Sequence, residues 1–251
     1  MEFERYRPES HNEILMDWFV DKASEPIETE GYRRAVEEVY QDFQGYFGLD
    51  RDIDFVFAET DMEFLQYKYD EVPVHEYAMD FSADPDYHDV ESPTVFLMAT
   101  KDYEHWENIL KFVGAHELAH QKYYENRDVG WKIYQRMLFE GHAMHSAEEL
   151  SSEKNYGWTQ EGWTPGQIKS EDLLEELDKF NKWKNQEDVE VSGLFVPGGD
   201  NWLEAEGYPA TFELAAYILE KEDMNAQDLL EIEEKIWKKE LKNAIREIYK
   251  N

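Results

Sequence analysis

Fifty-eight aspartates and glutamates stand against 25 lysines and arginines in this 251-residue chain, a formal net charge of −33. So charged a chain folds only if buried apolar surface outweighs the repulsion among its own carboxylates. The capacity is there, since 41% of the residues are hydrophobic and 15% aromatic. The acidic residues are not gathered into one block poor in aromatics, as a disordered acidic tail would be. They are interleaved with Trp, Tyr and Phe along the whole chain. Two readings of the acidity remain, a merely acidic mesophilic protein and one adapted to molar salt. The second is preferred, although lysine is not scarce: at molar ionic strength the Debye length falls to ~3 Å and like charges are screened. Either way the surface repels nucleic acid and anionic lipid, so neither is expected as a partner.

The chain contains no cysteine. Disulfides and thiolate metal sites are therefore excluded, and any metal must be held by histidine and carboxylate. The N-terminus, Met-Glu-Phe-Glu-Arg-Tyr-Arg-Pro, lacks the basic and apolar regions of a signal peptide. No apolar run approaches the ~20 residues that span a bilayer. The expectation is a cytoplasmic protein in a high-salt environment.

Hydrophobic periodicity gives the element order. Residues 28–47 form one helical stripe through Tyr32, Val36, Val39, Tyr40, Phe43 and Phe47, ended by Gly48. Residues 52–57 alternate as a strand, and 75–82 and Thr94–Ala99 read as two more. From about 103 the pattern turns helical, over 104–125 and then 128–152. Residues 153–167 read as irregular. Thr164-Pro165 suits a helix start, with the helix running to about Trp183. Residues 192–200 read as a loop carrying apolar groups, followed by helices over 208–221 and 226–249. The expected fold class is α+β and mostly helical. A small N-terminal sheet carries a helix packed against it, and a helical C-terminal lobe follows.

That packed helix contains His116-Glu117-Leu118-Ala119-His120. Residues four apart share a helix face, so both imidazoles can reach one metal ion. Glu117 lies one step round, close enough to act on a water beside the metal without binding it. Two chance histidines would explain the pentapeptide alone. A third ligand is needed, and Glu140 stands in the next helical pattern within an apolar stretch, where an unpartnered carboxylate is costly. His142 and His145 fall on other faces of that helix.

His116, His120 and Glu140, with Gly141 after the glutamate, resemble the gluzincin metallopeptidases. The likeness is closest to small predicted zinc proteases of bacteria and archaea, over about 94–150 and more weakly 205–245. A metzincin would place its third histidine where this chain has Asn126. The resemblance implies a Zn2+ cofactor on His116, His120 and Glu140, and a peptide or protein substrate. It implies a zincin-like cleft between lobes 1–126 and 127–251, with Glu117 as general base. It also implies a tyrosine or histidine that donates to the oxyanion. Tyr208 in Glu206-Gly207-Tyr208-Pro209 is favoured for that role, with Leu194 and Phe195 covering the metal, and Tyr217 is next. Gluzincin substrates pair with a sheet edge before the active-site helix, which points to Thr94–Ala99. The match departs at Met144, where thermolysin-like enzymes carry an aspartate that orients the first histidine; Glu148 or Glu149 could replace it. The alternative function is a zinc-binding, non-proteolytic module that docks a partner.

The charge generates a prediction that is independent of the metal. The melting temperature should rise steadily from low salt to molar KCl, because screening relieves self-repulsion in the compact state. A flat profile by calorimetry would refute adaptation to high salt.

Overall fold

In the computed structural model, which describes residues 3–5, 29–59, 78–88, 90–99, 106–150, 169–181, 191–192, 194–195 and 207–249, the first helix, α1, spans Thr29–Phe47. Its stripe of Val36, Val39, Tyr40, Phe43 and Phe47 is buried, as the 3.6-residue period requires; the Tyr32 side chain lies outside the described residues. Gly48 ends the helix with φ at 66°, a left-handed conformation that a β-carbon would oppose. Two compact units follow from the contacts, Met1–Glu125 with Ala147–Gly157, and Asn126–Ser146 with Trp158–Asn251.

The first unit is built on a four-stranded sheet of β1 (Phe3–Arg5), β2 (Asp54–Glu59), β3 (Ala78–Ala83) and β4 (Thr94–Ala99), in the order β1-β2-β4-β3. β1, β2 and β4 run parallel, and β3 pairs antiparallel with β4. Successive strand residues face opposite sides. Phe55 and Val56 are both buried, as are Val95, Phe96 and Leu97, so both faces of the central strands are covered. Each such side chain contributes ~1.5–3 kcal/mol by burial. The expectation that Thr94–Ala99 offers a free edge is corrected here. Among the described residues β4 is hydrogen-bonded on both sides, and the edge strands are β1 and β3. Residues 75–77, expected to open that strand, lie outside the described residues.

Helix α2 (Trp106–Asn126) packs on this sheet and on α1. A β-carbon at Gly114 would lie 3.3 Å from Val39 Cγ1 and 3.8 Å from Leu97 Cδ1, so glycine lets the helix approach closely.

The second unit contains α3 (Ile133–Leu150) as far as Ser146, α4 (Ser170–Glu176), a parallel pair β5 (Phe180–Asn181) and β6 (Val191–Ser192), α5 (Gly207–Glu222), α6 (Asp228–Glu231) and α7 (Glu234–Ile248). α3 begins five residues after its expected start. Its first N–H groups find acceptors far along the chain: Ile133 donates to the Lys179 carbonyl at 3.0 Å and Tyr134 to the Leu177 carbonyl at 3.1 Å. Asn181 N–H donates back to the Trp131 carbonyl at 2.7 Å. This backbone pairing accompanies the bridge between Lys132 and Phe180, and α4 ends before it at Glu176; Trp183 lies outside the described residues, as do Thr164-Pro165 and 196–206. The single helix expected over 226–249 is broken at Ile232 and Glu233, whose ψ angles are 130° and 134°. After the break, Trp237, Leu241, Ala244 and Ile245 form a buried stripe on α7. The Trp237 indole N–H donates to the Tyr134 carbonyl at 2.7 Å, tying α7 to α3. The fold is α+β and mostly helical, and among the described residues no helix is long and apolar enough to cross a membrane.

Behind α2 lies a polar network in the first unit. Gln121 is fully buried, and its amide donates to Ser82 Oγ at 2.7 Å and the Ala83 carbonyl at 2.9 Å. Ser82 Oγ in turn donates to the Glu117 carbonyl at 3.2 Å. Arg51 donates to Gln121 Oε1 at 3.3 Å and forms a 2.6 Å ion pair with Asp84, which is 1% exposed. Arg51→Met keeps the aliphatic stem and leaves that carboxylate without its cation. Urea unfolding should show a loss of ~2–4 kcal/mol, somewhat under the cost of breaking a fully buried pair because Arg51 is partly exposed. A loss below ~0.5 kcal/mol, the range of an ordinary surface substitution, would show that Asp84 does not depend on Arg51.

Candidate metal centre

From Ile109 to Gln121 only Lys111 of α2 escapes full burial, although the run includes His116, Glu117, His120 and Gln121. A helix hydrophobic on all sides can be buried without penalty, but these four side chains need polar partners. Gln121 has the network just described. The other three converge on one another.

His116 and His120 are one turn apart, their rings 4.6 Å between centroids and nearly perpendicular at 83°. The two Nε2 atoms are 3.0 Å apart, so both rings present the same nitrogen to one small volume. Glu117 joins them on that side, with Oε1 3.9 Å from His116 Nε2. Glu140 is 1% exposed on α3. Its Oε1 lies 2.5 Å from Arg136 Nη2 one turn earlier. One ligand atom from each of His116, His120 and Glu140 lies within 4.8 Å of the other two. Among the described residues no other group of three such side chains is gathered this way.

The donor set fits a divalent ion of borderline softness. Two neutral imidazoles and one carboxylate at ~2.0–2.2 Å from a tetrahedral ion stand ~3.3–3.6 Å apart. The histidine nitrogens are already near that spacing. Three protein ligands leave a fourth position for water or substrate, which separates a reactive site from a closed structural one.

Tyr208 sits in the first turn of α5, half-buried, its ring edge-on to Phe195 at 5.2 Å. Leu194 and Phe195 are buried rather than displayed. Gly207 makes this possible, because it runs directly beneath the Leu194 carbonyl. Tyr217 is committed elsewhere: its hydroxyl donates to Glu247 on α7, and that bond raises the phenol above its usual pKa. His145 stacks on Phe212 with Nε2 3.0 Å from the Phe212 carbonyl, and His142 Nε2 lies 3.4 Å from Ser146 Oγ. Glu149 is hydrogen-bonded to Tyr46. Gly141 faces α5, where a β-carbon would lie 3.1 Å from that of Ala215. Arg136, Gln121 and Ser82 were not anticipated as neighbours of the site. Arg136 could have been, since it stands at i−4 from Glu140; no sequence period links Gln121 to Ser82.

No protein-family model, curated protein or solved structure matches the chain.

The packing around Tyr208 is testable. A β-carbon at Gly207 would fall 2.1 Å from the Leu194 carbonyl oxygen and 3.1 Å from Phe195 Cδ1. Since the obstacle is backbone, Gly207→Ala should cost ~1–3 kcal/mol or more and alter the near-ultraviolet dichroism of the Phe195–Tyr208 pair. Unchanged stability and spectrum would refute this close approach.

Proposed function

We propose that the chain is a zinc-dependent metallopeptidase of gluzincin type. The observation that carries this reading is the buried convergence of His116, His120 and Glu140 with the Glu117 carboxylate beside the first histidine. A purely structural metal site has no use for a further buried carboxylate at that place.

A zinc ion held by the three side chains would supply Lewis acidity, polarising a peptide carbonyl and making water acidic near neutral pH. Glu117 is the general base. Its carboxylate accepts a proton from water as the water oxygen attacks the carbonyl carbon, and passes that proton to the leaving nitrogen as the C–N bond breaks. The Tyr208 hydroxyl is the proposed donor to the developing oxyanion. An extended peptide would pair with β3 rather than β4, since β3 is an edge strand among the described residues and lies against α2 through Ser82. Ser82 brings that strand to the Glu117 backbone. The −33 charge favours assays in molar salt, and it disfavours nucleic acid as a substrate.

Two variants test the reading in a peptide-library digest monitored by mass spectrometry, with metal content measured alongside. Glu117→Gln should retain one zinc per chain and the wild-type fold, and lose hydrolysis by ~10²-fold or more, the contribution of a positioned general base. Glu140→Ala should lose most of its zinc under mild chelation. Undiminished turnover in the first, or full metal occupancy in the second, would overturn the assignment of that residue.

A further inference from the structure

Arg136 stands one helical turn before Glu140 on α3, with Nη2 2.5 Å from the carboxylate Oε1. Its guanidinium carbon, Cζ, lies over the ring of Phe139, 4.9 Å from the centroid, and Phe139 is itself buried. Arg136 is thus fixed on two sides, by an aromatic face and by a charge-assisted hydrogen bond.

Helix energetics alone do not explain the pair. On an α-helix the favourable order is acid first and base four residues later; here the base comes first. The effect of the contact falls on Glu140, whose carboxylate is almost wholly buried and whose terminal torsion is intrinsically soft. An ionised carboxylate has about four lone-pair directions, so one guanidinium contact is compatible with one metal bond. The planar fork of arginine fixes a carboxylate's plane as a point charge cannot.

We propose that Arg136 is a positioning residue of the metal centre, holding the Glu140 carboxylate in its ligand orientation whether or not metal is bound. The inference rests on His116, His120 and Glu140 being that centre, as proposed above, and concerns what makes the third ligand effective.

The test measures zinc affinity of the full chain by competition with a chromophoric chelator, and the absorption spectrum with Co2+ in place of zinc, neither of which involves peptide hydrolysis. Far-ultraviolet dichroism establishes that each variant is folded. Arg136→Ala and Arg136→Gln should bind zinc ~10–100-fold more weakly, the usual effect of losing a partner that orients a ligand. Arg136→Lys keeps the charge without the fork and should recover part of the affinity with an altered cobalt spectrum. It also carries the test if the alanine variant fails to fold. In a Glu140→Gln background the arginine has no carboxylate to orient, so adding Arg136→Ala should change the residual affinity by less than ~2-fold. A general loosening of α3 would instead weaken both backgrounds alike. Wild-type affinity or tighter in the folded Arg136 variants would overturn the proposal and leave the metal centre standing. An unmodified chain that binds neither zinc nor cobalt would overturn both.

Discussion

The polar run on α2 is the hardest part of this structure to bury, and much of the first unit is arranged around it. His116, Glu117, His120 and Gln121 occupy a helix with almost no solvated face. Hydrophobic burial drives α2 onto the sheet, but leaves unsatisfied any polar group that arrives without a partner. Gln121 meets this by bridging the ends of β3 and β4, through Ser82, Ala83 and Thr94. The histidines meet it by turning their Nε2 atoms toward each other. Gly114 sets the depth of the approach, and Arg51 with Asp84 closes the network behind. Position of the edge strand, depth of the helix and orientation of the imidazoles are thus one problem in polar satisfaction.

What could be read from the residues follows from periodicity. The stripe on α1 and the pairing of His116 with His120 depend only on 3.6-residue geometry, so they were legible. Glu140 was legible because a lone carboxylate among Met137, Leu138 and Phe139 is conspicuous. β1 was not, since three residues carry no period. The late start of α3 was hidden because its acceptors, the Leu177 and Lys179 carbonyls, lie more than 40 residues on and are backbone groups that leave no trace in side-chain identity. The break at Ile232–Glu233 contains neither glycine nor proline. The edge position of β3 depends on strand order, which alternation along a single strand does not encode.

The basic residues, outnumbered by the acids, are placed where carboxylates crowd. Lys111 reaches Glu38 across α2 and α1 at 2.6 Å and holds that carboxyl below its usual pKa. Lys238 and Lys242 of α7 both approach Asp178, whose pKa is likewise lowered, first by the Lys238 bond. Exposed pairs of this kind contribute little individually. Their value here is in where they act: Lys111 sits between α1 and α2, and Lys238 and Lys242 join α7 to the segment after α4.

The tie between the start of α3 and the backbone at Leu177–Asn181 bears on the order in which the chain can mature. On the ribosome the C-terminal residues appear last, and domains complete themselves only when their distant contacts have emerged. The N–H groups of Ile133 and Tyr134 have no tertiary acceptor until residue 179 is free of the exit tunnel. The first turn of the helix that bears Glu140 therefore gains these acceptors only after both histidines and Glu140 itself have been made. The anchoring of that helix start thus waits until most of the polypeptide has been synthesised.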